Sequence, residues 1–110
     1  MGAHICFDRH IHIANKTWSK GVLRHLGYED IDEQTLNEIV NNKKLKWIQI
    51  SDYLPNEAYR KIDQILSERP DITFRLFHFL NNDEVDISFL MDMPHVKKVQ
   101  IDCIEFKKQS

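Results

Sequence analysis

Two spacings of apolar residues alternate along the second two-thirds of the chain. Leu36, Ile39 and Val40 recur as Ile62, Ile65 and Leu66 at an offset of 26, and then as Ile87, Leu90 and Met91 at an offset of 25. The same offsets carry Ile48 and Ile50 to Phe74 and Leu76, and then to Val99 and Ile101. A triplet spaced i, i+3, i+4 is one face of a helix, whereas a pair spaced i, i+2 is one face of a strand. The pattern predicts helices over 32–42, between Pro55 and Pro70, and over a short stretch at 86–91, each followed by a strand, at 45–51, 72–79 and 96–103. Pro55 suits a first helical turn, Pro70 cannot continue a helix, and Pro94 separates the last helical piece from its strand.

Helix followed by strand, three times, with short connections, predicts parallel strands joined by right-handed crossovers. The segment 86–102, DISFLMDMPHVKKVQID, places Pro94, Val96, Val99 and Ile101 in the order P-x-L-x-x-L-x-L. On those positions, and on Leu45, Ile48 and Ile50, the region 31–104 resembles the leucine-rich repeat family. The resemblance implies an α/β solenoid: a parallel β-sheet with helices on one face, in repeat-like units at 31–54, 55–80 and 81–104, with a tail at 105–110. The family's Asn after each strand is missing, since Tyr53, Leu80 and Ile104 stand near that place. The resemblance therefore implies irregular repeats, as in an N-terminal fragment of a longer array.

Residues 1–30 break the rhythm and read as an N-terminal strand-helix cap on the same single domain, 1–110. Positions 4–13 alternate, with Phe7, Ile11 and Ile13 on one side and Asp8, His10 and His12 on the other. A helix over 17–26 is expected from Trp18, Val22 and Leu26 at a spacing of four, with Gly27 as its stop.

Composition narrows the function classes. The chain has 110 residues, 42% hydrophobic and 29% charged with three Gly and three Pro, which excludes collagen-like and disordered classes. A formal charge of -2 gives no electrostatic reason to expect nucleic acid or an anionic membrane as partner. The opening MGAHICFDRH lacks a secretory pattern and no run approaches a membrane span, so a cytoplasmic location is expected. Cys6 and Cys103 match no metal or redox spacing and read as small core residues. Glycine-rich phosphate loops and a nucleophile elbow are absent from the sequence, so no cofactor is implied.

One segment carries catalytic chemistry. Asp8, His10 and His12 resemble the D-x-H-x-H at the end of the first strand of metal-dependent amidohydrolases, where residues two apart could reach one divalent ion. Such barrels need about 250 residues, and His78 and Asp102 could serve as additional ligands here only if the sheet brought them close. A hydrolase-like fragment using His10 and His12 is thus the alternative reading, and no metal site is assigned.

The leading expectation is non-enzymatic. With Ile48, Ile50, Phe74, Leu76, Val99 and Ile101 inward, the residues Trp47, Gln49, Ser51, Thr73, Arg75, Phe77, Lys98, Gln100 and Asp102 point outward in three aligned rows. Trp, Phe and Arg on one surface is the composition of binding hot spots. The expected function is a protein-protein interaction module in a bacterial-looking chain, of the immunity or antitoxin-like kind that blocks a partner. The strand at 96–103, followed by too few residues for another unit, is expected to support a homodimer through its edge.

Overall fold

The central strand pair shows how the chain is organised. A computed structural model of the protein describes residues 9–20, 23–77 and 87–102. In it β1 (His10–Ala14), β2 (Trp18–Lys20), β3 (Leu23–Gly27), β4 (Trp47–Ile50), β5 (Thr73–Phe77) and β6 (Val99–Asp102) form one mixed sheet, in the order β2-β3-β1-β4-β5-β6. Only β2 runs antiparallel to its neighbour; β1 pairs parallel with both β3 and β4, and β5 and β6 continue the parallel set.

Helix α1 (Glu33–Val40) lies between β3 and β4 in the chain, and α2 (Asn56–Glu68) between β4 and β5. Asp32 starts α1 by accepting the Thr35 backbone N–H at 2.8 Å, a bond that holds its carboxyl below the usual range. Ile39, Ala58, Tyr59, Ile62, Ile65 and Leu66 of the helices share a core with Ile11, Ile13, Leu26, Ile48, Ile50, Phe74 and Leu76 of the strands. Strand residues of one parity thus all face the helices, and the other parity faces away from them.

Arg69 ties the layers together just after α2. Its guanidinium donates to the carbonyls of Val40, Asn42 and Leu45 and to both carboxylate oxygens of Asp71. The C-terminal end of α1 and the approach to β4 are thereby satisfied by one side chain, where a helix leaves its last carbonyls unpaired. Phe89, in the 3-10 turn Ser88–Asp92, stacks on Tyr59 at 4.6 Å and closes the far end of the core.

The solenoid expectation is overturned. A solenoid lays its strands side by side in chain order, whereas here the first strand is interior, flanked by β3 and β4, and an antiparallel strand joins the sheet. The expected cap helix over 17–26 is instead β2 and β3, an antiparallel pair. Gly27 does not stop a helix: a Cβ there would come within 2.6 Å of the Thr17 backbone nitrogen, so the glycine admits the β1–β2 turn against the end of β3. The third helix is also replaced, by the five-residue 3-10 turn, which leaves Met91 84% exposed. Val99 and Ile101, expected inward, are 43% and 47% exposed because the helical layer ends over β5. Phe7, Asp8, His78, Phe79, Ile104 and both cysteines lie outside the described residues.

The register Ile50↔Leu76↔Ile101 nevertheless runs across three parallel strands. Leu76→Ala is therefore expected to cost about 2–5 kcal/mol on denaturant unfolding. Ile101→Ala, half-exposed on the outermost described strand, is expected to cost about 1 kcal/mol or less. Equal costs would show that β6 is covered.

Candidate functional site

Strand β1 sends Ile11 and Ile13 into the core, so His10 and His12 fall on the opposite face, which is helix-free among the described residues. His10 is exposed, but His12 sits mid-sheet between two strands and is only 8% exposed. On one side its ring stacks on His25 of β3, with centroids 3.7 Å apart and planes 6° from parallel. On the other, its Nδ1 lies 3.1 Å from Nε2 of Gln49, itself 6% exposed.

The row continues in both directions. Arg75 Nη1 donates to Gln49 Oε1 at 3.1 Å, and Gln100 stands opposite Arg75 on β6. Trp18, opposite His25 on β2, packs its ring at 4.1 Å. One residue from each of the six strands thus forms a single line: Trp18, His25, His12, Gln49, Arg75, Gln100.

The donors in this line determine one another. A guanidinium can only donate, so Arg75 requires the oxygen of Gln49 on its side and leaves the NH2 facing His12. That NH2 donates, so His12 Nδ1 must accept, and the neutral ring carries its proton on Nε2. Burial, with His25 and His10 nearby opposing further positive charge, pushes the His12 imidazole down to about 3; burial also lowers His25. Both rings are therefore neutral near pH 7, as a face-to-face pair at this distance requires.

In this arrangement neither His12 nitrogen has a lone pair free for an ion. No group of three or more His, Cys, Asp or Glu that could hold a metal is found among the described residues. Of the sequence candidates, Asp8 lies outside them, and His10 is exposed where His12 is buried, so the two histidines do different things.

The predicted binding residues of β4 and β5 fall on the helix-free face, and the side chain of Asp102 lies outside the described residues. Trp47 stands opposite Thr73, Gln49 opposite Arg75, and Phe77 opposite Asp102. Trp47, Ser51, Thr73, Arg75 and Phe77 are half-buried, and Lys98 and Gln100 are exposed. Gln49 is not available as a surface residue: its flanking strands bury it. The Arg75 guanidinium lies 4.5 Å over the Phe77 ring. Sequence reasoning missed His25 and Trp18 because their spacing was read as helical.

A cleft of about 310 Å³ opens at the carboxyl ends of β1 and β4, lined by His12, Ile13, Ala14, Asn15, His25, Ser51, Asp52 and Leu54. From β1 the chain turns one way, toward β2 and β3; from β4 it turns the other way, toward α2 and β5. Diverging connections of this kind leave a crevice, the usual ligand position in an open parallel sheet. Among the described residues no helix is long and apolar enough to cross a membrane.

Comparison with protein-family models, curated proteins and solved structures finds no match to the chain.

The neutral His12 has a measurable consequence. Below its unfolded value of 6.5 the unfolded chain takes up a proton that the folded chain refuses until about pH 3. Stability is therefore lost as pH falls through this window, at about 1.4 kcal/mol per pH unit for this one group. His12→Gln, which can still accept from Gln49, is expected to make the stability-against-pH slope between pH 6 and pH 4 shallower by about one proton. An unchanged slope would show that His12 titrates normally.

Proposed function

We propose that the chain is a non-enzymatic binding module that receives another protein on the helix-free face of its sheet. The observation that supports this most directly is the platform of Arg75 lying on Phe77, beside half-buried Trp47 and Thr73, with no described helix over it. Trp and Arg are over-represented among residues that dominate binding energy, and side chains already held by neighbours lose little freedom on docking. Lys98 and Gln100 supply an exposed polar margin on the β6 side. A partner's active surface blocked by this face would make the chain an inhibitor of the immunity or antitoxin kind.

Phe77→Ala and Trp47→Ala are each expected to weaken capture of the partner about 30-fold, the size of a hot-spot loss. Lys43→Ala, in the exposed turn after α1, is expected to leave it unchanged. Equal capture by all three folded variants would remove the face from consideration.

A second reading rests on a different observation: β6 is the outermost described strand, and Val99 and Ile101 lie half-exposed on its helix side. An uncovered edge of this kind pairs readily with another strand, and self-association through 96–103 follows from it. Sedimentation is expected to show a dimer for the wild type at high concentration and a monomer for Ile101→Lys. A wild type that remains monomeric would end this reading.

A further inference from the structure

The line from Arg75 to His12 ends at the crevice between β1 and β4. His12 Nδ1 is occupied by Gln49, one ring face is occupied by His25, and no described residue accepts from Nε2–H. A buried N–H donor without an acceptor among the described residues, in a side chain lining a cleft, calls for an acceptor from outside. The same cleft carries one formal charge, the exposed carboxylate of Asp52, whose Oδ1 accepts the Tyr53 backbone N–H at 2.8 Å. Asp52 Oδ2 accepts no hydrogen bond from the described residues. Ser51 and Asn15 add polar groups at the rim, and Ile13, Ala14 and Leu54 supply apolar wall.

We infer that this crevice binds a small ligand pairing a hydrogen-bond acceptor with a cationic or donor group: the acceptor meets His12 Nε2–H, and the donor meets Asp52. Gln49 and Arg75 are positioning residues for this site, because they hold His12 in its donor form without touching the ligand. An anion is disfavoured, since the lining holds a carboxylate and no cationic side chain. Neutrality of His12 and His25 at physiological pH has the same effect. The site shares Arg75 with the protein-binding face, but Asp52 belongs to the crevice alone and Phe77 to the face alone, so the two are tested separately.

The test uses the full chain labelled with 15N. The His12 ring is expected to show a protonated Nε2 and a bare Nδ1; a proton on Nδ1 in the wild type would overturn the assignment. Glycinamide, with an ammonium and an amide carbonyl, is expected to give saturable shifts at His12, Asn15 and Ser51, while acetate and inorganic phosphate give none. Asp52→Asn, at an exposed position, is expected to weaken glycinamide at least fivefold. Absence of saturable glycinamide shifts, equal binding of acetate or phosphate, or no effect of Asp52→Asn would each overturn the site. Gln49→Glu presents only acceptors to His12, so its Nδ1 is expected to gain a proton. A Nδ1 that stays bare in that folded variant would show that Gln49 does not set the tautomer.

Discussion

Backbone pairing of β1 on both of its edges is the constraint from which the other features follow. It begins at Arg9, whose carbonyl accepts from both Lys46 and Trp47, and it continues through His10↔Trp47, Ile11↔Ile48 and His12↔Gln49. On the opposite edge Ile13 and Leu26 pair. With β3 on one edge and β4 on the other, the side chains of β1 are shielded from water by neighbours on either side. That is why His12 and Gln49 are buried on a face without helices, and why two neutral imidazoles can stack there.

The same insertion creates the crevice. With β1 in the middle, the connection leaving it and the connection leaving β4 must diverge, and the space between them lies at the ends of the two strands. The polar row that starts at Arg75 reaches this space through Gln49 and His12. The proposed binding face and the proposed cleft site therefore share Arg75: its guanidinium lies on Phe77 at the face and orients Gln49 toward the cleft. A change at Arg75 acts on both, whereas Phe77 and Asp52 separate them.

The helical layer explains the asymmetry of the sheet. Two helices of eight and thirteen residues cover β1, β3, β4 and β5, and the 3-10 turn supplies only Phe89 and its neighbours beyond them. His95 is drawn back to α2 instead, donating its backbone N–H to Asp63 Oδ1 and placing its ring on Oδ2 at 2.7 Å. The approach to β6 is thereby anchored by polar contacts, and Val99 and Ile101 remain half-exposed where a third helix would have covered them.

The sequence by itself determined the local elements of the second two-thirds: α1, α2, the parity of β4 and β5, and the alignment of Ile50, Leu76 and Ile101. These depend on spacings of two to four residues, which apolar periodicity encodes directly. The outward rows of Trp47, Arg75 and Phe77 were legible for the same reason. Tertiary structure alone decided the strand order, the conversion of 17–26 from an expected helix to two strands, and the meeting of His12 with His25 and Gln49. Each of these depends on which distant backbone a strand pairs with, and a spacing of four such as Trp18, Val22 and Leu26 carries no record of that partner. Leu26 is core in either conformation; what selects the strand is the close approach of Gly27 to Lys16 and Thr17 together with pairing to β1, and both exist only once the chain has folded.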